Sequence, residues 1–252
     1  MKISVITVCF NSASHIVDAL HSVDAQTWPD IEHLVIDGGS LDDTLRIVQQ
    51  HARAWRRVIS EPDGGIYDAM NKGIRLATGD VIGFLNADDF YTSPESLTKI
   101  ADAFVEPSLD TCYGDLCYVE PDRPSSVVRY WRSTPFMPGL FLRGWCPPHP
   151  TFYVRRRVFE LCGVFDESYR IASDVEFMMR VLEVHRVRAR YLPELLVKMR
   201  TGGVTNRSWR NIAQQNREIW RALERHGLRP SLGAFIGGKL WSRGKQFMIR
   251  PT

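Results

Sequence analysis

The 252-residue sequence predicts an α/β protein: a mostly parallel sheet flanked by helices, with a helical extension at the C-terminal end. Three observations lead there. Apolar runs of strand length alternate with segments of helical periodicity through the first hundred residues. Short connections in a β-α-β-α order require parallel strands with helices on both faces. Beyond residue 109 this alternation gives way to strands around Pro-rich turns. The charge is divided as well. Residues 206–252 hold ten Lys and Arg against two Glu, a local +8, so the remainder is net −5 in a chain of net charge +3.

The elements follow in order. "ISVITVCF" is a continuous β-branched apolar run, as a buried parallel strand requires. "SASHIVDALHSVDAQ" places Ile16, Ala19, Leu20 and Val23 at helical spacing, with Ser12 or Ser14 as N-cap. "IEHLVIDGG" is the second strand. "SLDDTLRIVQQHA" is a helix with Leu45 and Val48 inward. "RRVISEP" is a short strand, "GIYDAMNKGIRLA" a helix and "VIGFLN" the fourth strand. "SPESLTKIADAFVE" reads as a helix with Ser93 as cap and Pro94 at its first position. "TCYGDLCYVE" and "SSVVRYWR" are two strands, and a Pro- and Gly-rich loop spans 135–150. "TFYVRRRVFELCG" runs from strand to helix. "SDVEFMMRVLEVH" is a helix with Phe177, Met178, Val181 and Leu182 inward, and "VRARYLPELLVKMR" returns as strand. The last fifty residues are helical. The expected organisation is a domain over 1–200, divided near residue 108, and a basic extension over 201–252.

Several classes of function fall away. The five cysteines are odd in number and include no C-x-x-C, which argues for a reduced protein without disulfides or zinc. "MKISVITVCF" lacks the pattern of a cleaved signal, and no apolar run reaches the roughly 20 residues that cross a bilayer. The expectation is a cytoplasmic protein, soluble or seated on the inner face of the cell membrane. No G-x-G-x-x-G follows the first strand and no P-loop occurs, so the glycine-rich phosphate cradles are missing.

In an open parallel sheet, ligands bind beyond the carboxyl ends of the strands. Here those ends read Thr7-Val8-Cys9-Phe10-Asn11, Asp37-Gly38-Gly39-Ser40, Glu61-Pro62-Asp63-Gly64-Gly65 and Asn86-Ala87-Asp88-Asp89. Acidic groups converge on one edge. Adjacent carboxylates at the mouth of a core repel, and a divalent cation on Asp88 or Asp89 would offset that and hold a phosphate.

The motifs "ITVCFN", "DGGSLDDT", "GIYDAMNKGIRLATGD" and "GFLNADDF" resemble, in order and spacing, those of family 2 glycosyltransferases. The resemblance continues through "PPHPTFYVRRRVFELCGVFDESYRIASDVEFMMR" and covers roughly residues 3 to 200. It is closest to bacterial enzymes of exopolysaccharide, O-antigen or colanic acid assembly. It implies the Rossmann-like GT-A fold of nucleotide-diphospho-sugar transferases. It also implies inverting transfer to a saccharide or polyprenyl-linked acceptor, with Mg²⁺ or Mn²⁺. Residue by residue, Asp37 resembles the family Asp that accepts from base or ribose. Thr7, Val8 and Asn11 match the first nucleotide-contact strand. Asp63 and Asn71 lie where the family closes over the base. Asp88 matches the last residue of the D-x-D motif, with Ala87 between it and Asn86, which replaces the first Asp. Asp174 matches the proposed general base, preceded by Ser173 in place of the usual Glu. His149, between prolines, is a candidate for metal or diphosphate contact.

Plainer readings remain beside these. Asp88 and Asp89 could cap a turn, Asp42 is a first-turn helix charge, and Asp174 could be another. The tail has two readings: an interfacial helix on anionic lipid, built from Phe235, Ile236, Leu240, Trp241, Phe247 and Met248 among Lys239, Arg243, Lys245 and Arg250, or a helix packed on the domain. A non-catalytic nucleotide-sugar or lipid-binding module is the alternative to the transferase. Asp37, Asp88 and Asp174 together argue against it. No nucleic-acid-binding motif accompanies the basic tail.

Overall fold

The computed structural model describes residues 1–202 and 208–248. Arg207 and Arg250, two of the tail cations counted above, and the side chain of Met248 lie outside the described residues. The first half is regular. Strands β1 (Ile3–Cys9), β2 (Ile31–Asp37), β3 (Arg56–Ser60) and β4 (Val81–Phe84) are parallel, in the order β3-β2-β1-β4. Helices α1 (Ile16–Asp24) and α2 (Thr44–Gln50) cover one face and α3 (Ile66–Leu76) the other. Alternate side chains of each strand divide between the faces: Ile6, Val8, Leu34 and Ile36 pack with α3, while Cys9 and Val35 pack with Ile16, Leu20 and Val48. The strand order reverses between β1 and β4, and such a switch point opens a crevice at the carboxyl edge.

The second half is mixed. Strand β5 (Asp89–Tyr91) and helix α4 (Ser96–Ala103) lead to a hairpin of β6 (Thr111–Val119) and β7 (Val127–Trp131). Then come β8 (Tyr153–Arg155), α5 (Arg156–Cys162), α6 (Ser173–Met179) with a π-turn at Arg180–Val184, and β9 (Ala189–Arg200). The sheet continues β4-β8-β6-β9-β5, with β4–β8, β6–β8 and β5–β9 antiparallel and β6–β9 parallel. The chain ends in α7 (Trp209–Arg225) and α8 (Leu232–Met248).

Three local expectations need correction. Neither Ser12 nor Ser14 caps α1 with its side chain. The helix begins at Ile16, whose N–H bonds the backbone carbonyl of Ser12. Helix α4 begins at Ser96, because Pro94 and Glu95 form a turn closed by the Ser96 N–H on the Ser93 carbonyl. The third is β5, which was not foreseen. Three residues carry no readable period, and only pairing with β9 makes them a strand.

Candidate active site

The strand register builds the first wall. Cys9 pairs with Asp37 and Asp37 with Ser60, so three strand ends lie level. Asp37 is almost fully buried. It accepts from Ser40 Oγ at 2.5 Å, Ser60 Oγ at 2.6 Å and the Ser40 N–H. Asn11 adopts the left-handed conformation (φ 49°), which short polar side chains tolerate. There its N–H donates to Ser40 Oγ at 2.8 Å and its Oδ1 accepts from the Leu41 N–H at 2.9 Å. Asp63 lies over the next backbone segment. A Cβ on Gly38 would come 2.5 Å from Asp63 Oδ2, so a larger residue there would displace that carboxylate, whose other oxygen accepts from the Gly65 N–H at 2.9 Å. Burial, then the carboxylates of Asp37, Asp42 and Asp63, push the Cys9 thiol far up. Asp42 serves the start of α2. Its Oδ1 accepts from the Thr44 hydroxyl and N–H, and these bonds hold its carboxyl below the usual range.

Thr7 and Val8 do not bring side chains to this wall. Val8 packs in the core against α3. Thr7 belongs to a buried polar chain. Arg56 Nε donates to His33 Nδ1 at 3.0 Å, so the proton sits on Nε2, which donates to Thr7 Oγ1 at 2.9 Å. Burial and then Arg56 hold the His33 pKa well down, which keeps the ring neutral.

The turn after β4 separates its two carboxylates. Asp88 is half-buried, and no protein donor bonds its carboxylate among the described residues. Its backbone carbonyl accepts from Arg200 Nη1 at 2.9 Å. Arg200, buried and paired with Asp18, thus fixes the turn from β9. Asp89 is fully buried, and burial, with Asp88 adding to it, raises its pKa well above the ordinary value. Asn86 Nδ2 donates to Asp89 Oδ2 at 3.2 Å, while Asn86 Oδ1 and Asp89 Oδ1 are buried acceptors without a donor among the described residues. Burial, and then the neighbouring Asp88, thus disfavour a second negative charge at this turn. Ala87 packs inward against α1 and α2.

The second wall is assembled from distant segments. Asp174, in the first turn of α6, is half-exposed and accepts from Tyr67 Oη at 3.1 Å. The Tyr67 ring packs beside Phe165, as do Phe84 and His149. His149 stacks on Phe84 at 5.4 Å between ring centres, and its buried Nε2 has no partner. Burial lowers its pKa, against an opposing pull from Asp174. Asn71 fixes Phe165. It donates to the Phe165 carbonyl at 2.9 Å and to Glu167 at 2.8 Å, and accepts from the Phe165 N–H at 3.0 Å. Its amide is thus occupied within the fold. Glu218 of α7 accepts from the N–H groups of Arg170, Ile171 and Ala172 at 3.2, 2.9 and 2.9 Å, just before α6.

The structure therefore brings Asn11, Asp37 and Asp63 together on one wall and places Asp174 beside Tyr67 on the other. Asp88, Asp89 and His149 do not form one metal-binding group. Among the described residues no cluster of three His, Cys, Asp or Glu is arranged for a metal. The reason is directional: Asp89 turns into the core and His149 stacks in the aromatic group toward Asp174. The set at Asp88 still fits a hard divalent cation, because such ions take one or two carboxylates and fill the remaining positions with phosphate and water. Tyr67, Arg200 and Glu218 were missed. No local spacing reveals contacts of that range.

Comparison with known proteins adds to this geometry. The profile described as Glycosyl transferase family 2 matches residues 4–165. A PGL/p-HBAD biosynthesis glycosyltransferase of Mycobacterium bovis is 34% identical over 210 residues, covering 81% of this chain and 78% of the relative. Chondroitin synthase of Escherichia coli is 31% identical over 185 residues, covering 72% of this chain and 26% of that protein. Among solved structures, S. aureus TarS 1–349 in complex with UDP-GlcNAc superposes with a TM-score of 0.68 at 20% identity, over 88% of this chain and 66% of that one. The mannosyltransferase PcManGT from Pyrobaculum calidifontis, in complex with GDP-Man and Mn²⁺, gives 0.70 at 20% identity, over 96% and 69%.

Proposed function

The chain belongs to glycosyl transferase family 2, and from that premise we propose an inverting transferase that moves a sugar from a nucleotide-diphospho-sugar donor to an acceptor hydroxyl. The observation that carries the reading is Asp174. It is a half-exposed carboxylate with one oxygen held by Tyr67, on a different element from the strand-end acids.

The chemistry follows from that division. Asp174 takes the acceptor hydroxyl proton as that oxygen attacks the anomeric carbon. The bond from that carbon to the diphosphate breaks on the opposite face, its electron pair leaves with the phosphate oxygen, and one displacement inverts the centre. Tyr67 donates to Oδ1 and leaves Oδ2 for the proton. Asp37 and Asp63 frame the nucleoside end, and Asn11 fixes the loop between them. Asp88 would hold Mg²⁺ or Mn²⁺, which when bound supplies positive charge to the leaving diphosphate.

The test is a screen of UDP-, GDP- and dTDP-sugars for hydrolysis with and without Mn²⁺, with nucleotide binding followed by calorimetry. Metal-dependent turnover of one donor that is lost in Asp174→Asn supports the assignment. Absence of both turnover and nucleotide binding would refute it.

A further inference from the structure

The two faces of α8 are unlike. The inner face is packed on the second half of the protein. Phe235 is buried edge-on against Trp220 at 5.7 Å. A Cβ on Gly238 would come 2.1 Å from the Arg143 carbonyl oxygen, and one on Gly144 would strike the Lys239 stem at 2.4 Å. Helix and turn therefore touch backbone to backbone. Lys239 Nζ donates to Asn216 Oδ1 of α7 at 2.6 Å.

The outer face is open. Leu240 and Trp241 are 67% and 65% exposed, and Leu232, Ile236 and Phe247 are also exposed. At Gly233, Gly237 and Gly244 an added Cβ would meet nothing. At 100° per residue, Ile236, Phe247, Leu240, the three glycines and Trp241 fill one continuous arc. Arg243 borders one edge of the arc and Lys245 the other, with Lys245 Nζ lying 5.0 Å from the Trp241 ring centre. No Asp or Glu follows Glu224 in the sequence. On α7, Arg210, Arg217 and Arg221 are exposed as well, and its first residue, Trp209, is 87% exposed.

We propose that the outer face of α8 seats on an anionic lipid bilayer, with its apolar arc in the headgroup boundary and the bordering cations on lipid phosphates. An apolar arc edged by cations, with aromatic side chains and no acid, has the chemistry of an interfacial helix. The cations that border the arc, with no acid within α8 itself, favour an anionic bilayer over an apolar patch on another protein. No helix among the described residues is long and apolar enough to cross a membrane, so the contact is peripheral. This inference deepens the sugar-transfer reading and rests on it for its purpose, which is to bring the site to a lipid-linked acceptor.

The experiment is co-sedimentation of the full chain with vesicles of phosphatidylcholine alone or mixed with phosphatidylglycerol, at low and high salt. The expected result is binding to the anionic vesicles that weakens about tenfold or more at high salt, as released screening charges require. Leu240→Ser with Trp241→Ser should abolish it while the melting temperature and nucleotide affinity stay unchanged. Absent binding by the intact protein, equal binding to neutral vesicles, or a double variant that still sediments would overturn the proposal. So would a concentration-dependent dimer that the double variant dissociates, because a second copy would then own the face. Vesicle binding with no affinity for any nucleotide would uphold the surface and instead defeat the sugar-transfer reading.

Discussion

At the proposed donor wall, Asp37, Asn11 and Asp63 stand on backbone that consecutive parallel strands bring level, and their partners Ser40, Ser60 and Gly65 lie within about thirty residues in sequence. At the other wall, Tyr67 reaches Asp174 across 107 residues and Asn71 reaches Phe165 across 94. The first wall is a product of strand register. The second is a product of packing between α3, the loop before α6 and α7. This difference separates their sensitivities. The donor wall should respond to changes of charge and ligand, and the acceptor wall to changes that alter aim.

The comparison can be broken by mutation. Asp174→Asn should lower turnover by about 10²–10⁴-fold, the usual contribution of a general base, with nucleotide affinity measured by calorimetry unchanged. Parallel losses would show that the walls are not independent. Asp88→Ala should weaken Mn²⁺-dependent binding of nucleoside diphosphate by at least the roughly 10–100-fold that outer-shell partners of a metal cost. Equal affinity with and without the carboxylate would remove it from the donor wall. Asn71→Ala should cost about 1–3 kcal/mol in denaturant unfolding, since it strands the buried N–H and carbonyl of Phe165. Tyr67→Phe should reduce kcat about tenfold, the effect of roughly 1.4 kcal/mol, and leave donor KM alone. A larger change in KM than in kcat would assign Tyr67 to donor binding.

The smallest expected effect concerns acid. Burial pushes the Glu218 carboxyl up, but the N–H of Ile171, Gln214 and the N–H groups of Arg170 and Ala172 outweigh it and hold the folded pKa below the ordinary value. A lowered folded pKa stabilises the protein above the unfolded pKa, and the contribution is lost as pH falls through the folded value. The melting temperature should therefore decline below the ordinary Glu range, and Glu218→Gln should flatten that decline. An unchanged acid slope would show that the three amides do not depend on its charge.

The same contrast sets what was legible in the sequence. Continuous β-branched runs and period-3.6 segments were enough for β1 to β4, the hairpin, α6 and the two final helices. The strand-end acids were readable because each sits at the end of its own periodic run. Side-chain direction was not. Thr7 looked like a ligand contact, yet it belongs to the polar chain through His33 and Arg56, whose members come from three strands. Asp88 and Asp89 looked alike, yet one is half-exposed and the other is a buried acid bonded to Asn86. Tyr67 occupies a helix position that any aromatic could fill. Only the fold shows that its hydroxyl ends on Asp174.

Glu218 also bears on the order in which the molecule becomes complete. The amides it holds lie 46 to 48 residues earlier in the chain. At roughly 5–20 residues per second of synthesis, the donor shelf and α6 itself have emerged a few seconds before the carboxylate that fastens the start of α6. During translation, therefore, the start of α6 waits for a partner that is made after it.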